Sequence, residues 1–256
     1  MNGQTVYNGV LIAWFALAAA TFISLFFVAA PYGRHARRGW GPTLGDKVGW
    51  VVMEAPAPLL LAAYYVLERP GTVTSLIFLA MWESHYLYRA FLYPLRVRES
   101  QRRMPLSVVA MGFMFNLMNA YLNGRYLFGL SGGYPATWLA DPRFLLGLGL
   151  FVWGTLINRR ADRTLRRLRR DLSGADGVQY QMPDGGLFRW ISCPNYFGEI
   201  VEWTGWAIAT WSLAGLSFAV WTAANLAPRA WANHRWYLDT MPDYPRERKA
   251  LVPGLW

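Results

Sequence analysis

The sequence has little charge, few histidines and almost no cysteine. Charged residues make up 16% of the 256 residues, 54% are hydrophobic, and the mean hydropathy is +0.16. Soluble domains carry about 25% charged residues, so the composition excludes a soluble enzyme and a disordered chain. The single cysteine, Cys193, excludes an intramolecular disulfide. With only three histidines beside it, we expect no metal site.

Three common signatures of nucleotide and metal chemistry are also missing. The sequence has no GxGxxG after a strand, no GxxxxGK[ST] and no HExxH. A Rossmann domain, a P-loop and a zinc protease site therefore have no support. The net charge of +10 needs no nucleic-acid partner, because the distribution of the basic residues follows a membrane topology.

Long uncharged runs indicate helices that cross a membrane. Residues 1–33, 104–124 and 203–228 each exceed the roughly 20 residues that a spanning helix needs. Residues 1–33 are interpreted as a retained span rather than a signal peptide, because the basic cluster follows the apolar run. We expect one all-α membrane domain over 1–256, with spans near 6–30, 48–67, 72–95, 105–123, 143–158, 194–211 and 213–232.

The basic residues predict an orientation. Of the 25 Lys and Arg, 21 lie in alternate loops, which the positive-inside rule places in the cytoplasm. The N-terminus is then outside and the C-terminus inside. Residues 194–228 could form one long span or a helical pair that turns near 212–215, and the rule favours the pair because one span would place the last basic residues outside.

Ionisable residues inside spans are costly and therefore mark candidate sites. Six lie there: Glu54, Glu83, His85, Arg89, Glu199 and Glu202. Glu54 could be a lone carboxylic acid kept neutral by desolvation, or it could be paired with Arg89 for packing alone. It could instead hydrogen-bond the hydroxyl of Tyr86 and make this phenol a better proton donor to a substrate carbonyl.

Two predicted cytoplasmic stretches carry further polar chemistry. Residues 158–172 continue the fifth span with seven arginines, which could hold phosphates or lie on anionic lipid headgroups. The stretch 180–190 is glycine-rich and aromatic and leads directly into 194–206, so we expect it to cover a ligand.

Six ordered blocks resemble the steroid 5-alpha-reductase family, over about residues 30–256. They are WVVMEAP at 50–56, HYLYRAFLYP at 85–94, INRRADRTLRRLR at 157–169, YQMPDGGLFRWIS at 180–192, NYFGEIVEWTGWAIATWSLAG at 195–215 and HRWYLDTMPDYPRERKALVPGLW at 234–256. The resemblance implies an integral membrane enzyme that uses NADPH to reduce a double bond conjugated to a ketone, as in 3-oxo-4-ene steroids.

The resemblance also implies roles for particular residues. Glu54 and Tyr86 match the catalytic pair, and Trp50 is then expected to line the steroid pocket. Residues from about 105 to 256 would hold most of the NADPH site. The implied cofactor contacts are Tyr32, Asn158, Asp162, Arg169, Tyr180, Asn195, Glu199, Arg229 and Tyr237.

The chain departs from the family pattern in the loop and near the C-terminus. Gln181 stands where an arginine is expected, and Asn233 with His234 stands where a pair of histidines is expected.

The same superfamily includes enoyl-CoA and polyprenol-type reductases, so another lipid enone or enoyl thioester is the alternative substrate. A non-catalytic lipid-binding scaffold is the alternative from another class. The 23 arginines against two lysines favour a bacterial cytoplasmic membrane, or the endoplasmic reticulum if the source is eukaryotic.

Overall fold

The computed structural model describes residues 2–28, 39–96, 103–171 and 181–256, with side chains on the long helix 142–171 up to residue 168. This part of the chain is mostly helical. Its α-helices are α1 (Gly3–Phe27), α2 (Asp46–Glu54), α3 (Pro56–Glu68), α4 (Val73–Leu87), α5 (Tyr93–Arg96), α6 (Leu106–Gly124), α7 (Pro142–Asp171), α8 (Pro194–Thr210) and α9 (Leu213–Thr240). Shorter helical turns are two π-helical turns (Tyr88–Leu92 and Arg125–Leu130) and two 3₁₀ turns (Ala136–Ala140 and Gly186–Arg189).

Each of the seven predicted spans falls on a helical segment. Within the described ranges, three segments are long and apolar enough to cross a membrane, at Gly3–Phe27, Asp46–Glu68 and Leu106–Leu130. The predicted helical pair is confirmed, because α8 ends at Thr210 and α9 begins at Leu213. The turn between them lies slightly before the predicted position and uses Trp211 with a φ of 44°.

One short sheet accompanies the helices of this all-α fold. β1 (Thr43–Gly45) pairs antiparallel with β2 (Arg103–Pro105) in a two-stranded sheet. The guanidinium of Arg103 reinforces this pairing, since its Nε donates to Thr43 Oγ1 and its Nη2 to Thr43 O, both at 2.7 Å. Strands of three residues are too short to give a periodic hydrophobic signal. The charged residues beside β2 made a strand there still harder to predict.

The chain divides into two compact units. Unit 1 comprises Met1–Ala13, Ala30–Leu145 and Thr210–Ala214, and unit 2 comprises Trp14–Ala29, Leu146–Ala209 and Gly215–Trp256. In unit 1, α6 packs against both α2 and α3. A buried side chain also joins α4 to α3, since Trp82 Nε1 donates to Ala57 O at 3.1 Å.

Glycines set the packing of α7 against α8 in unit 2. A Cβ at Gly154 would lie 2.3 Å from the backbone nitrogen of Glu202, and one at Gly198 would lie 2.5 Å from that of Asn158. Gly147 and Gly205 show the same close approach of backbone to backbone, with 2.3 and 2.4 Å to the nearest atoms. The two helices therefore touch through their main chains, at glycines spaced seven residues apart on each.

The segment after α9 folds back onto the residues before α8. Ile191 and Lys249 form a parallel β-bridge, and Ser192 N donates to Lys249 O at 2.8 Å. The buried guanidinium of Arg248 donates to Pro183 O at 2.8 Å and to the Asp184 carboxylate at 3.2 Å. Residues 183–193 are thus joined to the last residues of the described chain.

Candidate active site

A buried carboxyl group occupies the end of α2 in unit 1. The Glu54 carboxylate lies 3.8 Å from Arg89 Nε, and the two side chains are 12% and 20% exposed. Asn116 Nδ2 on α6 lies 3.4 Å from Glu54 Oε2. The carboxyl group therefore has a cationic partner from the π-helical turn and an amide partner from α6.

Prolines explain why the backbone is irregular on both sides of this ion pair. Pro56 and Pro58 lack the N–H groups that would bond the carbonyls of residues 52 and 54, so the helix breaks between α2 and α3. In the π-helical turn the expected donor to Arg89 O would be Pro94, which has no N–H. Trp50 Nε1 fills this gap by donating to Arg89 O at 3.0 Å.

The aromatic side chains beside Arg89 complete the cluster. Its guanidinium lies 4.5 Å from the ring centroid of Trp50 and 5.3 Å from that of Tyr93. A guanidinium within about 6 Å of an aromatic face is attracted by the ring. Trp50, the predicted pocket residue, is thereby placed with Glu54 around one cation.

Tyr86 lies near the end of α4 in the same unit and is 3% exposed. Its ring packs against Trp82 at 4.8 Å and against His85 at 5.0 Å between centroids. The α-helical geometry of α4 ends at Leu87, and Arg89 belongs to the π-helical turn that follows, so the spacing from Tyr86 to Arg89 is not that of a regular α-helix. The hydrogen bond between Tyr86 and Glu54 stays a prediction.

Four of the predicted cofactor-binding residues form one hydrogen-bonded cluster in unit 2. Asn158 Nδ2 on α7 donates to Asn195 O at 3.0 Å and lies 3.3 Å from Glu199 Oε2 on α8. Asn195 Nδ2 donates to Asp162 Oδ1 at 3.4 Å. The glycine contacts between α7 and α8 bring these side chains together, because larger residues there would separate the helices.

The remaining predicted cofactor residues divide between described and undescribed parts of the chain. Arg229 Nη2 on α9 lies 3.4 Å from the hydroxyl of Tyr196. Tyr237 is 3% exposed and stacks on Tyr244, with 5.0 Å between centroids and 2° between planes. Tyr32, Tyr180 and the side chain of Arg169 lie outside the described residues.

The sequence did not predict two residues of these clusters. Asn116 was not expected because its amide is not ionisable, and nothing in the sequence distinguished Tyr196 from the other tyrosines. Asn233, one of the departures from the family pattern, lies 3.5 Å from the Tyr196 hydroxyl through its Nδ2 atom. A search for any buried amide in an apolar span would have found Asn116.

A second polar cluster of unit 2 joins α9 to the C-terminal segment. Ser192 Oγ lies 2.6 Å from His234 Nδ1 and 2.7 Å from the Tyr244 hydroxyl. Burial lowers the pKa of His234, and the charge of Lys249 lowers it further. Burial also raises the pKa of Tyr244. Both groups are therefore held neutral, as hydrogen-bonding partners of a serine.

Apolar helices with buried ionisable groups are typical of membrane proteins whose site lies among the spans. The family model for 3-oxo-5-alpha-steroid 4-dehydrogenase matches residues 102–256. Steroid 5-alpha-reductase DET2 of Gossypium hirsutum is 41% identical over 262 residues, which cover 100% of this chain and 99% of the relative.

Animal relatives are equally similar. The 3-oxo-5-alpha-steroid 4-dehydrogenase 1 of Bos taurus is 41% identical over 94% of this chain and 93% of its own length. The human protein of that name is 40% identical, covering 94% of this chain and 92% of the relative. The chain belongs to the 3-oxo-5-alpha-steroid 4-dehydrogenase family, and it is an oxidoreductase that acts on CH–CH groups.

Proposed function

We propose that the protein uses NADPH to reduce the 4,5 double bond of 3-oxo-4-ene steroids, giving 5-alpha-reduced products. The observation that carries this proposal is the buried Glu54 carboxyl group, which lies with Arg89 and Asn116 in the unit that also holds Tyr86. The names of the relatives support the substrate class, since they are steroid 5-alpha-reductases and 3-oxo-5-alpha-steroid 4-dehydrogenases.

In this proposal Tyr86 and Glu54 act on the ketone of the substrate. The Tyr86 hydroxyl donates a hydrogen bond to the 3-keto oxygen, and Glu54 supports the phenol as donor. Reduction at the carbon beta to the ketone leaves negative charge on this oxygen, and a positioned donor stabilises the charge as it develops. Trp50 lines the steroid pocket. Arg89 keeps the carboxyl group of Glu54 in place.

The polar cluster of unit 2 fits the chemistry of a nicotinamide nucleotide. Asn195 and Glu199 offer a donor and an acceptor, as a carboxamide requires, and Asn158 fixes their positions through its contacts at 3.0 and 3.3 Å. Arg169 and Arg229 bind phosphate groups, while Asp162 and the tyrosines 32, 180 and 237 complete the contacts. When bound there, NADPH supplies hydride, and the protein supplies orientation and electrostatics.

The distribution of arginine supports a location for this chemistry. We propose seven spans, with the N-terminus outside and the C-terminus in the cytoplasm, where NADPH is available. The strong excess of arginine over lysine favours a bacterial cytoplasmic membrane. Steroid substrates, being apolar, then arrive from the lipid.

The test is a substrate comparison with the full-length protein purified in detergent. NADPH oxidation is followed with testosterone, with progesterone and with a linear enoyl thioester, and products are identified by mass spectrometry. We expect 5-alpha-reduced steroids and no reduction of the thioester. Reduction of the thioester alone would show that the protein is an enoyl thioester reductase. Tight NADPH binding without turnover of any of the three substrates would overturn the steroid assignment.

A further inference from the structure

Three buried asparagines lie along α6, a helix that is otherwise largely apolar. Asn116, Asn119 and Asn123 are 3%, 0% and 0% exposed. An amide buried without partners is destabilising, so each of these asparagines needs a structural or functional reason. Asn123 donates to the carbonyl and the side chain of Asn119, at 3.0 and 3.1 Å. Asn116 differs, because its partners include the segment that carries Glu54.

Two backbone carbonyls fix the orientation of the Asn116 amide. Its Nδ2 atom donates to Met53 O at 2.9 Å and to Gly112 O at 3.1 Å. Both carbonyls can only accept hydrogen bonds, so the nitrogen of the amide must face them and the oxygen must face away. The assignment of the two amide atoms therefore follows from the surroundings. Met53 immediately precedes Glu54, so Asn116 holds the backbone at the point from which the carboxyl group projects.

The same nitrogen also reaches the carboxyl group itself. Asn116 Nδ2 lies 3.4 Å from Glu54 Oε2, while Arg89 Nε lies 3.8 Å from the other oxygen, Oε1. The carboxyl group is thus contacted at one oxygen by a neutral donor from α6 and approached at the other by a cation from the π-helical turn.

The oxygen of the Asn116 amide remains available. Within the described residues no hydrogen-bond partner is found for Asn116 Oδ1, although the side chain is 97% buried. Oδ1 is therefore an acceptor near Glu54 that the described part of the chain leaves unused. If residue 116 only filled space, leucine would be more stabilising than asparagine, because leucine has a similar size and no polar atom to bury.

We propose that Asn116 is a positioning residue, which holds the Glu54 carboxyl group in the orientation that lets it support Tyr86 during reduction of the enone. This inference rests on the role proposed above for Glu54. Asn116 acts through Met53 O and Glu54 Oε2 and does not touch the substrate. Its loss lowers turnover more than it changes the binding of NADPH or steroid, because a carboxyl group displaced by about 1 Å costs up to about a hundredfold in rate.

The test is a double-mutant cycle in the full-length protein with NADPH and testosterone. Asn116→Leu removes the amide from the Glu54 segment at nearly constant size. Asn123→Leu is the matched control, since it removes an equally buried amide from the same helix about two turns away. Each substitution is made in the wild type and in Glu54→Gln, and kcat, both KM values and the melting temperature are measured.

We expect Asn116→Leu to lower kcat by about tenfold to a hundredfold in the wild type, with both KM values changed by less than about threefold. In Glu54→Gln the same substitution should change kcat by less than about twofold, because the group it positions is gone. Asn123→Leu should leave kcat within about threefold in both backgrounds, even if it lowers the melting temperature.

The outcomes separate this inference from the proposed function. Equal losses from Asn116→Leu in the two backgrounds would show a structural role and overturn the inference alone, and so would wild-type turnover in Asn116→Leu. Wild-type turnover in Glu54→Gln would instead remove the role of Glu54 and with it both proposals. A loss in Asn123→Leu as large as in Asn116→Leu would attribute the effect to helix packing and also overturn the inference.

Discussion

The two units hold their polar clusters in opposite ways. In unit 1, Glu54 ends an α-helix at a break set by prolines, and its partner Arg89 lies in a π-helical turn. In unit 2, Asn158 and Glu199 project from regular helices whose backbones touch through glycines. Near the helix break and the π-helical turn of unit 1, side chains such as Trp50 and Asn116 donate to backbone carbonyls. In unit 2, the register between two regular helices in contact determines which side chains lie opposite each other.

This difference indicates different sensitivities. Unit 1 depends on single side chains that satisfy single carbonyls, so substitutions there should change chemistry while the fold persists. Unit 2 depends on the absence of side chains at the helix contact, so adding even one methyl group should disturb the fold. This difference would be contradicted by a variant of the unit 1 cluster that unfolds. It would also be contradicted by a variant of the glycine contact whose stability is unchanged.

The largest effect is expected from Glu54→Gln and Tyr86→Phe in unit 1. Each should lower turnover by about 10²–10⁴-fold while the protein stays folded and binds NADPH, because both side chains are proposed to act on the enone carbonyl. Turnover with a 3-oxo-4-ene steroid and nucleotide binding by fluorescence check this. Glu83→Gln, which alters another half-buried carboxyl group, is the control and should keep most of the activity. Near wild-type turnover in either variant would refute the assigned role.

The choice of nucleotide tests the proposed role of unit 2. NADPH should exceed NADH in kcat/KM by roughly tenfold to a hundredfold, because NADH lacks the 2′-phosphate and charge-assisted hydrogen bonds contribute about 1.5–3 kcal/mol. Steady-state kinetics with both nucleotides measure the ratio. Equal kcat/KM values would mean that the arginines serve topology and lipid binding only.

A smaller effect, on stability rather than chemistry, is expected at the glycine contact. Gly154→Ala places a Cβ about where backbone atoms of α8 already lie, with 2.3 Å to Glu202 N. Overpacking of this kind costs about 1–3 kcal/mol. Gly149→Ala is the control on the same helix, since nothing lies within 4 Å of its Cβ position. Thermal unfolding in detergent should show a lower melting temperature for the first variant only, and equal melting temperatures would contradict the close contact.

The smallest effect concerns pH and the cluster of Ser192, His234 and Tyr244. The pKa of His234 is lowered in the fold, so near its unfolded pKa of about 6.5 the unfolded chain binds more protons than the folded chain. Its contribution to stability is therefore complete above this pH and is lost as the pH falls from there through the lower pKa of the folded state. The melting temperature of the wild type should fall more steeply between pH 7 and 5 than that of His234→Gln. Parallel curves would show that His234 does not contribute to the pH dependence.

The positions of most helices could be predicted, because long apolar runs and the distribution of basic residues are visible directly in the sequence. The pair α8 and α9 was separated on charge alone, with the turn placed within a few residues of Trp211. The π-helical turn after Leu87 could not be predicted, because one extra residue per turn leaves no periodic signal. Pro94 was visible, yet the side chain that replaces its missing N–H as donor to Arg89 O is Trp50, which is distant in sequence.

The candidate site was predictable to a similar extent. Glu54, Asn158 and Glu199 stood out as costly groups or family matches, and the structure gives each of them polar partners. The glycines at 147, 154, 198 and 205 were not predicted as a helix contact, because the familiar small-residue motif has a four-residue spacing. A seven-residue spacing on both helices would have predicted their contact.

The glycine contacts also restrict how the protein can move. A slide of α7 along α8 by one turn would bring side chains into positions that admit no Cβ atom. The glycine contacts therefore hold the pair in one register, with Asn158 opposite Glu199. The α7–α8 pair is thus a fixed frame against which motion elsewhere in unit 2 can be measured.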